Sequence, residues 1–282
     1  MKLLRYGEAG AEQPGLLDAA GNIRDLSGVI NDIDGAALAP EKLAELARLN
    51  PENLPLVSGS PRLGPPVNGV GKFMCIGLNY SDHAAETGAP VPKEPILFMK
   101  ATSAINGPND PVRMPRNSKK MDWEVELGVV IGRLAHYVDE ADAMDYVAGY
   151  CVVNDVSERE FQIERSGQWT KGKSADTFGP FGPYVATKDE VPDPQNLNLW
   201  LEVNGHRYQN GSTKTMIFGV RHIVSHLSQF MSLHPGDIIA TGTPPGVGMG
   251  QKPQLFLKPG DVMRLSIQGL GEQRQEVIAD IG

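Results

Sequence analysis

The chain has 282 residues, of which 40% are hydrophobic, and a formal net charge of −8. An acidic chain without a basic cluster argues against nucleic acid or an anionic membrane surface as a partner. No run of about eighteen apolar residues is present and the N-terminus lacks a signal-peptide pattern, so we expect no transmembrane helix. Cys75 and Cys151 each lie in an apolar run, which favours buried, reduced thiols and a cytoplasmic protein.

The first 60 residues are predicted to form a small N-terminal domain. KLLRYG and PGLLDAAGNIRDL indicate a short hairpin, and PEKLAELARL (40–49) indicates an amphipathic helix. Residues 61–72, at the end of a stretch rich in Pro, Gly and Ser, are predicted to be a linker. The second and larger domain is therefore expected to span residues 73–282.

The second domain shows many short apolar runs between turn residues. FMCIG, ILFMK, EVELGVVIG and GYCVV are predicted strands, and Asn204-Gly205 predicts a tight hairpin turn. Helices are expected at 139–147, at 157–166 with Ser157 as the N-cap, and within 216–233. Because there is no regular βαβ alternation, we expect a mostly β fold with some α, an α+β roll or barrel, rather than a doubly wound sheet.

Two glutamates interrupt the most apolar of these strands. Glu124 and Glu126 are two residues apart, so they lie on one strand face, and Asp155 ends the next apolar strand. A solvated strand face is one interpretation, because antiparallel sheets often have a wet side. The continuous apolar surroundings favour the other, in which three carboxylates converge on a hard divalent cation such as Mg²⁺, Mn²⁺ or Ca²⁺.

A histidine and a glutamate follow the first strand of the second domain. His83 and Glu86 are three residues apart and would share one face of a helical turn. A carboxylate that orients a histidine makes it a stronger base, although a chance pair on a surface helix gives the same pattern.

Basic and amide side chains follow Asp155. Arg159 and Gln162 are three residues apart, so they would face the proposed metal together. Lys173 lies in a glycine-rich context and is a candidate donor to an anionic ligand, whereas Lys171 is interpreted as solvated.

The glycine-rich segment ATGTPPGVGMG (240–250) resembles a phosphate-binding loop only superficially, because no helix follows it. It is instead interpreted as a ligand-contacting loop with Thr241 and Thr243 as donors. His222 and His226 fall on the polar face of the expected helix and are interpreted as surface residues.

The order of these motifs resembles the fumarylacetoacetate hydrolase family. GLNYSDHAAE, FMK, DWEVELG, NDVSEREFQ, WTKGKSADTFGPFGP and TGTPPGVG occur in that order between about residue 70 and the end of the chain. The resemblance implies a mixed β-roll catalytic domain, a homodimer, and a bound Mg²⁺ or Mn²⁺. The N-terminal 60 residues are variable in such proteins and do not contribute to it.

The resemblance also implies site roles. Metal ligands would be Glu124, Glu126 and Asp155. The catalytic residues would be His83 and Glu86, which activate water, together with Lys173. Substrate binding would involve Arg159, Gln162, Lys173 and Thr243.

The implied reaction is hydrolysis of the C3–C4 bond of a 2,4-dioxo acid, an acylpyruvate such as 2,4-diketo-3-deoxy-L-rhamnonate, to pyruvate and a carboxylic acid. Ureidoglycolate cleavage, oxaloacetate decarboxylation and tautomerisation are alternatives within the same family. A protein that binds dicarboxylates without turnover is the non-enzymatic alternative, but it would have no need of the His83–Glu86 pair.

Overall fold

The computed structural model describes residues 1–82 and 90–280, and this part of the chain is mostly strand. The first strands are β1 (Lys2–Tyr6), β2 (Gln13–Leu17), β3 (Ile23–Asp25), β4 (Phe73–Gly77), β5 (Ile96–Lys100), β6 (Ile105–Asn106), β7 (Val112–Met114) and β8 (Met121–Asp122). The others are β9 (Val125–Ile131), β10 (Val147–Asn154), β11 (Ser157–Glu158), β12 (Gly179–Thr187), β13 (Asn198–Val203), β14 (His206–Ser212), β15 (Ile238–Ala240), β16 (Val262–Ile267) and β17 (Glu272–Ala279).

Helices are short and few. The α-helices that lie wholly within the described residues are α1 (Pro40–Leu46), α2 (Thr170–Lys173) and α3 (Val220–Ser228), and Glu160–Glu164 forms one turn of π-helix. Single 3₁₀ turns occur at Pro51–Asn53, Thr102–Ala104, Ala143–Tyr146, Lys188–Glu190, Thr213–Thr215 and Gly248–Gly250. Within the described ranges, no helix has the length and apolarity needed to cross a membrane.

The strands form three sheets in the described part of the chain. The largest has the order β3-β2-β1-β12-β10-β9-β15-β4-β5, with β6 added beside β12. A five-stranded sheet has the order β14-β13-β16-β17-β7, and β8 pairs with β11. The strand pairs are mostly antiparallel, with parallel pairs at β15–β4, β12–β6 and β17–β7. This mixed, strand-rich architecture is the expected α+β class.

The central strands of the large sheet are buried on both faces. Alternate side chains of β9 enter two different apolar clusters, with Val125, Leu127 and Val129 in one and Val130 in the other. The first cluster also contains the apolar side chains of β13 and β16, so the five-stranded sheet covers one face of the large sheet. Every residue of β9 is buried, which agrees with the continuous apolar run in which the two glutamates lie.

The N-terminal residues share the sheet and one core with the rest of the chain. β1 pairs with β12, with Leu3 opposite Val185, and Leu3 packs in the same cluster as Phe73 and Cys75. The boundaries at 1–60, 61–72 and 73–282 stay a prediction. The contact shows that the N-terminal strands extend the main sheet.

The hairpin and the helix expected within 216–233 agree with the sequence pattern. The helix expected at 157–166 does not begin as predicted. Asn204 and Gly205 both have positive φ, 52° and 80°, and join β13 to β14. Ser157 was predicted to be a helix N-cap, which is wrong. It is paired with Asp122 in a short strand, and its hydroxyl donates to the carbonyl of Asp155 (3.0 Å). The carboxylate of Glu158 instead accepts the backbone N–H of Phe161, at the start of the following turn.

Candidate metal centre and active-site cavity

Three buried carboxylates meet where β9 and β10 lie side by side. These strands are antiparallel, and the backbone N–H of Asp155 donates to the carbonyl of Glu124 (2.9 Å). Glu126 points to the same side as Glu124 because it is two residues further along. Oxygens of Glu124, Glu126 and Asp155 all lie within 4.8 Å of one another. The solvated-face interpretation is therefore wrong, since all three side chains are buried.

Lys173 bridges two of these carboxylates. Its ammonium Nζ lies 2.7 Å from Glu124 Oε2 and 2.7 Å from Asp155 Oδ2, and the side chain is buried. Burial lowers the pKa of Lys173, but the charges of Asp155 and Glu124 outweigh that effect and raise the pKa above its usual value. The lysine is therefore a fixed positive charge in the site.

Arg159 contacts the opposite side of Glu124. Its Nη2 donates to Glu124 Oε1 (2.7 Å), its Nε to Asp122 Oδ2 (2.8 Å) and its Nη1 to Gln162 Oε1 (3.1 Å). The predicted shared face of Arg159 and Gln162 is thus present, although a π-helical turn carries it. Charge-assisted pairs of this kind hold a guanidinium in one orientation.

Two charged residues of this centre were missed in the sequence. Lys100, at the end of β5, forms an ion pair with Asp155 and donates to the carbonyl of Val156 (3.0 Å). Asp122 anchors Arg159 and is fully buried. The available signal was a charge directly beside an apolar run, in ILFMK and in MDWEVEL.

The two glutamates have opposite ionisation behaviour. Burial raises the pKa of Glu124, but Lys173 and Arg159 outweigh burial and lower it to about 2. Burial and the charges of Asp155 and Glu124 raise the pKa of Glu126 well above its usual value. No lysine or arginine in residues 1–82 or 90–280 forms an ion pair with Glu126, whose Oε2 accepts the backbone N–H of Gly242 (2.8 Å).

The loop after β15 closes the site. Gly242 has φ +102°, and a Cβ there would lie 2.7 Å from the Cβ of Asn79. The next residue, Thr243, donates its hydroxyl to the carbonyl of Val125 (2.9 Å) and accepts from Gln209 (2.8 Å). The glycine-rich loop therefore contributes a backbone donor and a threonine to the site, and its contact with a ligand stays a prediction.

A cavity of about 200 Å³ opens onto these residues. Its polar wall contains Glu124, Glu126, Arg159, Gln162, Lys173 and Thr243. Its apolar wall contains Ile76, Leu78, Phe98, Ile163, Trp169 and Met249. A cavity smaller than the usual drug-sized range of about 300–1,000 Å³ suits a small substrate.

The histidine predictions have two outcomes. His83 and Glu86 lie outside the described residues, so their proposed pairing stays a prediction. His222 is 39% exposed and pairs with Glu140 (3.0 Å), which agrees with its interpretation as a surface residue. Cys75 and Cys151 are buried free thiols, as expected.

Comparison with known proteins identifies relatives over nearly the whole chain. A family model described as "Fumarylacetoacetate (FAA) hydrolase C-terminal" matches residues 72–278. A protein of Burkholderia cenocepacia (strain HI2424) is 65% identical over 276 residues, which are 98% of each chain. That protein is provisionally named a hydrolase.

Solved structures show the same fold. A fumarylacetoacetate hydrolase from Exiguobacterium antarcticum superimposes with a TM-score of 0.89 at 34% identity, covering 99% of each chain. A maleylpyruvate hydrolase from Sphingobium sp. SYK-6, in complex with a manganese(II) ion and pyruvate, gives a TM-score of 0.83 at 28% identity, again covering 99% of each chain. The expected β-roll is thereby confirmed.

Proposed function

Since the chain belongs to the fumarylacetoacetate hydrolase family, we propose that it is a divalent-metal-dependent hydrolase of 2,4-dioxo acids. It would cleave the C3–C4 bond of an acylpyruvate to give pyruvate and a carboxylic acid. The observation that carries this proposal is the buried group Glu124, Glu126 and Asp155 beside a small cavity. The related maleylpyruvate hydrolase, which holds manganese and pyruvate together, supports both the metal and the product.

The charges of the site fit a divalent cation. With Glu126 ionised, as a metal ligand would be, four buried carboxylates (Asp122, Glu124, Glu126, Asp155) and three cations (Lys100, Arg159, Lys173) would leave one negative charge among the described residues before the cation is counted. A divalent ion changes that sum to one positive charge, which a monoanionic 2-oxo acid would neutralise. An all-oxygen ligand set favours Mg²⁺ or Mn²⁺ over zinc.

We assign the ligand roles to Glu124, Glu126 and Asp155. When bound, the cation would stabilise negative charge that develops on the substrate's oxygens. Lys173 is fixed beside the same carboxylates and would add a second positive charge there. Arg159 would orient the substrate through its remaining donor capacity.

Two further residues complete the proposed binding site. Gln162 lies against the Arg159 guanidinium and lines the cavity, which would place an amide beside the substrate. Thr243, which also lines the cavity, would contact the carboxylate end of the substrate.

We assign water activation to His83, oriented by Glu86. The histidine would take a proton from water while the hydroxide oxygen bonds to C4. The C3–C4 bond then breaks, its electron pair goes to C3, and the histidine returns the proton to C3 to give pyruvate. The second product is the carboxylic acid that contains C4, so one water is consumed for each substrate cleaved.

The first test separates the base from the metal ligand. His83→Ala should lose about 10²–10⁴ in turnover yet retain metal affinity, because a general base contributes about that factor. Glu126→Ala should lose turnover and metal affinity together. Glu272→Ala removes a surface carboxylate paired with Arg264 and should change neither. Near-native turnover of His83→Ala would show that the histidine is not the base.

The second test separates the family's reactions. Pyruvate release from a panel of acylpyruvates should exceed glyoxylate release from ureidoglycolate and decarboxylation of oxaloacetate. A preference for either of the latter substrates would replace hydrolysis with lyase or decarboxylase activity. We further propose that the protein is a cytoplasmic homodimer. Sedimentation of the purified protein would test the oligomeric state.

A further inference from the structure

The cavity also has an apolar part of its lining that the reaction chemistry does not use. This part of the lining contains Leu78, Phe98, Ile163, Trp169 and Met249. The rings of Phe98 and Trp169 meet edge to face, with centroids 5.3 Å apart. We call the Phe98–Trp169 pair and Ile163 the aromatic wall.

The aromatic wall starts directly beside the catalytic charges. Lys173 Nζ lies 5.0 Å from the centroid of the Phe98 ring, so one phenyl ring borders both the ammonium and the apolar part of the lining. A substrate whose oxo-acid end reaches Lys173 would therefore place its acyl group against Phe98 and Trp169.

Gly77 makes room for the wall. A Cβ at this position would overlap the six-membered ring of Trp169. The end of β4 therefore accepts the indole only because it has no side chain there. The ring also contacts Phe98.

The charged lining residues have no spare charge for a second anionic group. Arg159 is paired with Asp122 and Glu124, and Lys173 with Glu124 and Asp155. Within the described ranges these are the cations that line the cavity. A second carboxylate on the substrate would lose its hydration against aromatic and aliphatic groups, which is costly without a partner.

From these observations we infer that the acyl group of the substrate is apolar, and that the aromatic wall selects it. The inference rests on the proposed function and names its substrate class: acylpyruvates with an alkyl, alkenyl or aryl acyl group. Hydroxylated sugar acids and acids with a second terminal carboxylate are disfavoured. The wall also distinguishes this chain's substrate from 2,4-diketo-3-deoxy-L-rhamnonate, which carries a hydroxyl in that position.

The test compares acylpyruvates that differ only in the acyl group. With Mg²⁺ present, kcat/KM for pyruvate release should rise about fourfold per added methylene until the cavity is full, the factor that burial of a methylene provides. Substrates with a terminal hydroxyl or carboxylate on a chain of equal length should be worse by about tenfold or more. Equal or better cleavage of the carboxylate-terminated substrate would overturn the inference.

A matched pair of variants locates the selectivity. Ile163 is 47% exposed at the cavity and Leu134 is 53% exposed elsewhere, so Gln at either site is a comparable surface change. Ile163→Gln should reduce the preference for long over short acyl groups by about tenfold, whereas Leu134→Gln should leave it unchanged. An unchanged preference in Ile163→Gln and also in Trp169→Leu would show that the aromatic wall does not determine specificity for the acyl group.

A binding measurement keeps the two proposals distinguishable. Alkyl 2-oxo acids without a 4-oxo group cannot be cleaved, and they should change the fluorescence of Trp169, one of three tryptophans. Trp169→Phe should abolish that change. Tight binding of alkyl 2-oxo acids without pyruvate release from any acylpyruvate would refute the proposed hydrolysis alone. Pyruvate release with tighter binding of the carboxylate-terminated 2-oxo acid would refute the apolar pocket alone, and neither binding nor release would refute both.

Discussion

Replacement of Lys100 by methionine removes a buried cation that the sequence motifs did not identify as functional. Lys100 and Asp155 are both fully buried and form an ion pair. Methionine keeps most of the side-chain volume, so the change is mainly one of charge. Without metal, Asp155 would keep Lys173 as its cation, and the net charge of the described site residues would become more negative by one unit.

The expected cost follows from the burial of the pair. Two unit charges about 4 Å apart interact by about 4 kcal/mol at an effective dielectric constant of about 20. Removing one partner of a buried pair costs about 3–5 kcal/mol, because the other charge stays desolvated. Lys100→Met should therefore lower the free energy of unfolding of the metal-free protein by about this amount, and its melting temperature by on the order of 10 °C.

Metal should reverse part of this loss. Lys100 competes with a cation for Asp155, so its removal should raise metal affinity. Each tenfold gain in affinity adds about 1.4 kcal/mol of stability at saturating metal. Thermal melts with EDTA and with saturating Mg²⁺ should show a larger metal-induced rise in melting temperature for Lys100→Met than for the unmodified protein.

A matched control separates this effect from the general loss of a buried ion pair. Lys72 lies 2.7 Å from the buried carboxylate of Asp237, outside the metal centre. Lys72→Met should destabilise the protein equally with and without metal. Our account of the site would be refuted by a loss below about 1 kcal/mol in metal-free Lys100→Met, or by a loss that Mg²⁺ leaves unchanged.

Two further predictions concern a backbone turn and a titrating surface network. Gly242→Ala should weaken metal binding and lower stability by about 1–3 kcal/mol, because alanine would be strained at φ +102° and its Cβ would contact Asn79; unchanged metal affinity in titrations would contradict this. The backbone N–H of Asn22 and the guanidinium of Arg24 help to lower the pKa of Asp18 from 3.8 to about 2. Asp18 therefore contributes stability above pH 4 that is lost as the pH falls toward 2. The difference in melting temperature between the unmodified protein and Asp18→Asn should shrink over that range. A constant difference would contradict this prediction.

The strands around the metal centre, and the placement of two acids on one strand face, were readable from the sequence. The two-residue spacing of Glu124 and Glu126 within an apolar run indicated one face of a buried strand, and Asp155 ended the next such run. These features are local, because side-chain alternation follows from backbone geometry alone. The hairpin at Asn204-Gly205 was readable for the same reason, since a tight turn with positive φ depends on the residues within it.

A local pattern failed where a distant segment competed for the same backbone groups. Ser157 and Glu160 matched a helix-capping pattern, but Asp122 pairs with Ser157 as a strand neighbour. The sequence separation of 35 residues hides that pairing from any local rule.

The charges that compensate the acids, and the residues that line the rest of the cavity, depend on tertiary packing. Lys100, Asp122 and Lys173 come from β5, β8 and α2, and only the packing of these elements brings them to one centre. Phe98 and Trp169 are likewise distant in sequence and become one wall because Gly77 leaves space for the indole. Alternation along one strand is fixed by covalent geometry, whereas partners from different elements depend on the free energy of the whole fold.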